Sequence, residues 1–424
     1  MSDILTELQW RGLIHQSTDD GGLAEFMAQP RTVYAGFDPT ADSLHVGSLL
    51  PLMMLRRFQL QGHRPIALVG GATGMVGDPS GKSQERNLLS LDELQRNIDG
   101  MREQLKLLLD FDAGERSALV LNNYDWLQTF SYLEFLRDVG KHISVNVMNA
   151  KDSVKGRLDR EDGLSYTEFS YMLLQGYDFV HLNRSHHCEV QIGGSDQWGN
   201  ITLGIDLARR MHRVKLHGLT CPLLTKSDGG KMGKTESGTI WLSAEKTSHH
   251  AFYQYWFNVD DADVSKCLRF LTELTEEEIT ALDESRAAAP NERRSQIRLA
   301  DELTRMIRGD DGLATAHMAK EFFFGAEIKN VTDSLVTDVF PEVPSCELPR
   351  ERLAAGLPIV DAFVAAGLGK SKGEARRLIK QGGAYVNNSR VDDSDLALTT
   401  EHLASESVIV LRSGRKKYAL LRFV

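Results

Sequence analysis

Three short stretches hold residues whose types and spacing suit work on an anion and on a small polar ligand. The first is "DPTADSLHVGSLLPL" (38–52). It leaves a polar, proline-containing loop, passes His45 and Gly47, and runs into an apolar segment. A helix starting there presents unpaired N–H groups and the positive end of its dipole, a natural anion site. Gly47 would let a ligand approach the backbone closely, and His45 can donate to a phosphate oxygen. A satisfied loop histidine fits the same letters. The second stretch is "DGGKMGKT" (228–235), with Lys231 and Lys234 on a glycine-rich segment. Taken alone, it also describes a solvated surface loop. The third is "FSYMLLQGYDF" (169–179). Tyr171, Gln175 and Asp178 are spaced i, i+4, i+7 and share one helical stripe, away from Phe169, Met172 and Leu173. An amphipathic helix with a polar outer face has the same spacing.

Two glycine-lysine pairs mimic a Walker A loop: "GMVGDPSGKS" and "TKSDGGKMGKT". That motif needs a glycine five positions before its Gly-Lys. Those positions hold Val76 and Asp228, and an acid opposes phosphate in the cradle. The dinucleotide motif also fails, because Gly71, Gly74 and Gly77 are spaced three and three. A P-loop NTPase and a dehydrogenase are both disfavoured.

The elements that must position these residues read as α/β. "TVYAGF" (32–37) is a short strand, "GSLLPLMMLRRFQLQ" (47–61) a helix stopped by Gly62, and "PIALVG" (65–70) a continuous apolar strand. Together they make a βαβ unit. "CEVQIG" (188–193) is a further strand feeding a helix near Ser195. A Ser165–Glu168 capping box sets the start of the helix that carries Tyr171. The expected fold is a doubly wound, Rossmann-type parallel sheet over 1–243, and such sheets bind ligands at their strand ends. From 244 to 330 the pattern is helical, with a Thr275–Glu278 capping box. Pro341, Pro344, Pro349 and Pro358 then fall within 18 residues, the composition of a linker, which is placed at 331–356. A small α+β domain is expected over 357–424. Its helix "KGEARRLIKQ" is capped by Ser371 and Glu374, and a hairpin turns at Asn387–Asn388.

The chain has 424 residues and formal net charge −10. That length exceeds one compact core, so two or three domains are expected. Residues 357–424 carry 11 Lys/Arg and 7 Asp/Glu, hence +4, which leaves −14 on the rest. A basic tail on an acidic body hints at nucleic acid. Cys188, Cys221, Cys267 and Cys346 have no paired spacing, against a disulfide framework or a thiolate zinc site. "MSDILTELQW" shows no signal peptide, and no stretch reaches membrane-spanning length. A cytoplasmic protein is expected.

Taken together, the motifs resemble the class I aminoacyl-tRNA synthetases, most closely their bacterial-type tyrosyl branch. "YAGFDPTADSLHVGSL" resembles the HIGH signature region and "KMGKT" the KMSKS signature, while "QIGGSDQWGN" and "FSYMLLQGYDF" are similar to tyrosyl-specific segments. The resemblance covers nearly the whole chain. It implies ATP, arriving with Mg²⁺, whose α-phosphate is attacked by the carboxylate of L-tyrosine to give tyrosyl-adenylate and pyrophosphate. Transfer to the terminal adenosine of tRNA(Tyr) follows. It assigns the catalytic phosphate contacts to His45, Gly47, Ser48, Lys231, Lys234 and Thr235, with Lys82 and Arg86 from "SGKSQER". Tyrosine would be held by Tyr171, Gln175, Asp78 and Gln197 at its ammonium and carboxylate end, and by Tyr34 and Asp178 at its hydroxyl. Asp38, Thr40, Gly194 and Asp196 would surround ATP. Residues 357–424 resemble the small RNA-binding domain shared with a ribosomal small-subunit protein. Lys370, Lys372, Arg376, Arg377 and Lys380 would there contact tRNA phosphates. A homodimer is implied as well.

The signatures are not perfect. Ser48 replaces the last His of HIGH, Gly233 and Thr235 replace the serines of KMSKS, and Ala35 stands where many relatives carry Cys. The nearest rival on the same fold is a tryptophanyl enzyme, which the Tyr34–Asp178 pair disfavours. An RNA-binding regulator with a silenced synthetase shell is disfavoured by the intact Lys231, Lys234 and His45.

Overall fold

A computed structural model describes residues 3–18, 21–80, 90–158, 163–235, 238–341 and 343–424. The chain divides into two compact units, Met1–Lys246 with Phe257–Ile307, and Thr247–Trp256 with Arg308–Val424.

The first unit is built on a six-stranded sheet: β1 (Gln16–Ser17), β2 (Thr32–Phe37), β3 (Arg64–Val69), β4 (Leu119–Asn122), β5 (Cys188–Gly194) and β6 (His217–Cys221). Their order is β1-β6-β5-β2-β3-β4. All neighbours are parallel except β1 on β6. The order reverses between β2 and β5, so a crevice opens beyond the carboxyl ends of those two strands, where doubly wound sheets take their ligands.

Both faces of the sheet are covered, which is why its strands read as apolar runs. Tyr34, Ile66 and Leu68 share a core with Met172, Phe179, Leu203 and Leu207. These come from helix α1 (Tyr166–His186) and helix α2 (Trp198–His212). By strand alternation Val33, Ala35, Ala67 and Val69, all buried, face the other way. There the helix Val46–Leu60 packs on β2, β3 and β5. Ten of its 15 residues are buried, so it is apolar on almost every side.

Ser165 caps α1 as expected, accepting from the Glu168 N–H at 3.2 Å. The Glu168 carboxylate, however, is taken by Arg157 in a buried fork, at 2.9 and 3.0 Å. A buried charge needs its partner more than a cap needs its second bond.

The second unit holds a five-stranded sheet of Ser389–Val391, Ala384–Val386, Val408–Ser413, Lys417–Phe423 and Ser345–Leu348, adjacent in that order. The expected hairpin is present. Asn387 (φ 49) and Asn388 (φ 66) both lie in the left-handed region that a two-residue turn of this hand demands. Alternate residues feed two cores. Ile409, Leu411, Ala419 and Leu421 face Phe363 and Ile379. Val408, Val410, Tyr418 and Leu420 face Phe322, Val336 and Phe340.

Residues 331–356, read from their prolines as a linker, therefore belong to this folded unit. They hold the helix Asp333–Val339 and the strand Ser345–Leu348, which pairs in parallel with Lys417–Phe423. Pro349 and Pro358 stand at the N-caps of the short helices Arg350–Ala354 and Ile359–Ala365. These prolines start helices, a use their fixed φ favours. The helical stretch expected over 244–330 is shared between the two units. Its long helix Arg294–Phe323 breaks at Gly309 (φ 72, ψ −179), beside the unit boundary. Among the described residues no helix is long and apolar enough to cross a membrane.

Candidate active site

A cavity of about 300 Å³ opens at the β2/β5 crevice of the first unit. Tyr34, Asp38, Thr40, His45, Gly47 and Ser48 line it from β2 and the segment that follows. Asp78, Tyr171, Gln175, Asp178, Gly194, Asp196 and Gln197 join it from three other segments. The fold thus gathers at one place residues that the sequence spreads over 160 positions.

One end of the cavity is closed off from solvent by Tyr34 and Asp178, both 1 % exposed. Asp178 is 1 % exposed and its carboxylate accepts from the Trp126 indole N–H at 2.9 Å and the Asn123 amide at 3.0 Å. Burial raises its pKa from the usual 3.8 to about 7; the two donors pull it back and Asp38 adds to the rise. Tyr34 is equally buried, its hydroxyl has no hydrogen-bond partner, and burial with the nearby Asp178 pushes its pKa well up. A dry, unpaired hydroxyl beside a carboxylate with free lone pairs is costly unless a polar ligand group arrives between them.

The middle of the cavity is a hydrogen-bonded chain. Gln175 donates to Gln197 at 3.3 Å, Gln197 to Asp78 at 2.8 Å, and the Ser80 N–H to Asp78 at 2.9 Å. The Tyr171 hydroxyl donates to the Asp38 carboxylate at 3.2 Å. Asp38 also accepts from Thr73. Three carboxylates, Asp38, Asp78 and Asp196, therefore face the same space and suit a cationic group. Burial, then Asp78, raises the pKa of Asp196, while Lys231 opposes this.

The other end is where the two signature-like segments meet. His45 is the N-cap residue of the helix Val46–Leu60. Its ring folds back over the first turn: a Cβ on Gly47 would lie 2.8 Å from the His45 Cε1. Burial lowers its pKa, a backbone hydrogen bond opposes this, and the nearby Lys234 lowers it further. The backbone ties both segments together. Gly233 O accepts from Ile240 N at 2.9 Å, Ile240 O from Val46 N at 3.0 Å, and Leu44 O from Leu242 N at 2.8 Å. Lys231 and Lys234 are exposed. Thr235 lies in a two-residue strand, Lys234–Thr235, paired with Gly238–Thr239. Lys82 and Arg86 fall outside the described residues.

Asn123 and Trp126 were not singled out from the sequence. The signal was there: "NNYDW" (122–126) puts a polar pair and an indole directly after an apolar strand. In the second unit Lys370, Lys372, Arg376, Arg377 and Lys380 are all exposed on or beside the helix Lys372–Lys380, whose Ala375 and Ile379 are buried.

Comparison with known proteins matches residues 27–325 to the family model for class I tRNA synthetases (W and Y). Residues 336–421 match the tyrosine–tRNA ligase SYY-like C-terminal domain. A tyrosine–tRNA ligase of Rhodopirellula baltica is 55% identical over 99% of this chain and 96% of its own length. The chain belongs to the tyrosyl-tRNA synthetase family of class I. A second member, from Roseiflexus castenholzii, is 51% identical over the whole of both chains. Among solved structures, a C-terminally truncated mitochondrial tyrosyl-tRNA synthetase of Aspergillus nidulans is 32% identical. It covers 76% of this chain and 95% of its own, with a TM-score of 0.68. The C-terminal match begins at 336, before the 357 expected from charge, in keeping with the strand Ser345–Leu348 in that sheet.

Proposed function

We propose that this synthetase activates L-tyrosine with ATP and transfers it to the 3′-terminal adenosine of tRNA(Tyr), with residues 1–243 carrying the chemistry. The observation that carries the reading is the buried Tyr34 hydroxyl without a partner, beside an Asp178 held by Asn123 and Trp126. A phenol satisfies both groups at once. It donates to Asp178 and accepts from Tyr34. Phenylalanine leaves the Tyr34 hydroxyl unpaired and brings no donor to the remaining lone pairs of Asp178, and an indole places its donor elsewhere.

The ammonium of tyrosine lies against Asp78, Tyr171 and Gln175, and Gln197 orients the carboxylate. ATP takes the opposite end. Its ribose lies by Asp38, Thr40, Gly194 and Asp196, with the α-phosphate at the helix start by His45, Gly47 and Ser48. The tyrosine carboxylate attacks that phosphorus and pyrophosphate leaves. No protein nucleophile is needed; positioning and charge stabilisation carry the step. Lys231 and Lys234, with Lys82, Arg86 and Thr235, neutralise the departing pyrophosphate. Mg²⁺ would come on the ATP, where its charge would assist the same oxygens. The basic helix of the second unit grips tRNA phosphates.

A homodimer is supported by an exposed apolar patch. Tyr132 and Tyr166 are 63% and 60% exposed with hydroxyls 3.1 Å apart, and Leu133 is 75% exposed. Such a patch on a soluble chain marks a partner surface. The cytoplasm is the compartment that holds its substrates. The deciding experiment is ATP–pyrophosphate exchange with tyrosine, tryptophan and phenylalanine in turn. Exchange should depend on tyrosine; exchange led by tryptophan would overturn the reading.

A further inference from the structure

One helix outside the sheet holds both signature segments. Helix α3 (Asp261–Leu271) is gripped at its C-terminal end by two buried arginines. Arg57 donates to the carbonyls of Phe270 (2.9 Å) and Thr272 (2.8 Å), and Arg11 to those of Arg269 (2.9 Å) and Leu274 (2.8 Å). Arg57 sits on the helix that begins at Val46. The C-terminal end of α3 is therefore fastened to the helix that presents His45.

The N-terminal half of α3 is fastened to the lysine loop. Asp263 is 2 % exposed. Its Oδ2 accepts from the Ser227 N–H at 3.0 Å and from the Ser227 hydroxyl at 3.3 Å. Its Oδ1 lies 3.4 Å from the Lys266 ammonium. Lys266 in turn donates to the carbonyl of Thr225. The Cys267 thiol meets the Met232 sulfur at 3.6 Å, and both are buried. Within the loop, Lys226 N donates to Gly230 O at 2.7 Å and Met232 N to Leu224 O at 3.1 Å. The loop is thus a tight hairpin plugged into α3 by Met232 and pinned at its root by one carboxylate. An acid in a first turn commonly does no more than oppose the helix dipole. Asp263 does more, because both of its oxygens are turned to groups that hold another segment.

We propose that Asp263 is a positioning residue for adenylate formation: through Ser227 and Lys266 it sets where Lys231 and Lys234 stand relative to His45. This rests on the phosphate-clamp reading of those lysines. Asp263 touches no substrate. Its effect falls on the step in which pyrophosphate charge develops, and the tyrosine end of the cavity is untouched.

The test is a cycle of Asp263→Asn, Lys234→Ala and the double variant in the full-length enzyme. Tyrosine Kd, melting temperature and the single-turnover rate of adenylate formation are measured for each. Asp263→Asn should slow adenylate formation on the order of tenfold to a hundredfold with tyrosine Kd unchanged. The double variant should lose less than the two single losses combined, since the Lys234 share of the Asp263 effect is already gone once that lysine is missing. Fully additive losses, an unchanged rate, or a loss of tyrosine binding in parallel would each overturn the proposal. A Lys234→Ala enzyme of full rate would instead remove the clamp reading beneath it. Lys266→Met, which keeps the packing and removes the ammonium, must show the same split; if it does not, the proposal fails even where Asp263→Asn does not fold.

Discussion

A Cβ on Gly233 would lie 2.9 Å from the Cβ of Val46. Gly233 also has φ 85, a backbone conformation that side chains resist. The glycine that replaces a signature serine is therefore what lets the lysine loop lie against the first turn of the helix behind His45. Gly233→Ala meets both penalties, with strain alone of about 1–2 kcal/mol. The expected result is at least a tenfold slower adenylate formation at unchanged tyrosine affinity, read by stopped-flow fluorescence. A full-rate enzyme would show that the close approach is dispensable.

Asp178→Asn keeps the shape of the closed end and removes the charged acceptor. Discrimination between tyrosine and phenylalanine, as a ratio of kcat/KM, should fall by about one to two orders of magnitude, at about 1–3 kcal/mol per unpaired polar group. Trp126→Phe removes one of the two donors that hold the carboxylate and should lower the same ratio by a smaller factor. An unaltered ratio in Asp178→Asn would take Asp178 out of the hydroxyl site.

The raised pKa of Asp178, about 7 against the usual 3.8, predicts two pH effects of known sign. Between those values the native chain holds a proton that the unfolded chain has shed, so this group's contribution to stability falls as pH rises from about 4 to 7 and is level above. Tyrosine binding runs the other way. A phenol donates best to the ionised carboxylate, so tyrosine affinity should fall up to tenfold per unit as pH drops below 7. Calorimetric titration from pH 5.5 to 8.5 reads it, and Asp178→Asn should flatten the profile.

Neutralising Lys372, Arg376, Arg377 and Lys380 together to alanine should leave pyrophosphate exchange intact. It should weaken tRNA charging and flatten its salt dependence. Substitution is a cleaner test than removing residues from 350 onward. Truncation there would strip the Val408–Ser413 and Lys417–Phe423 strands from the core that Phe322 and Phe340 also build.

The local grammar of this chain was legible because it is local. The strand 32–37 has its expected ends, the helix after His45 begins one residue earlier than its apolar run suggests, and the Asn387–Asn388 turn is where two left-handed residues must be. The stripe of Tyr171, Gln175 and Asp178 faces the cavity because helical period alone places it there. Contacts between distant segments left no local mark. Nothing in "DADVSKCLRFL" says that Asp263 reaches Ser227, and nothing near Asp178 says that Asn123 and Trp126 will hold it. The prolines of 341–358 misled because proline breaks helices and also begins them.

The central claim is that one cavity places a phenol at Tyr34 and Asp178 and a phosphate between His45 and Lys234. It is tested most directly by a crystal structure with a non-hydrolysable tyrosyl-adenylate analogue. The account predicts the ligand hydroxyl within hydrogen-bond distance of both Tyr34 and Asp178, and the phosphate at the helix start beside His45 with the Lys234 ammonium facing it. A ligand lying in the reverse sense, or a phosphate with His45 and Lys234 on opposite sides of the molecule, would contradict it.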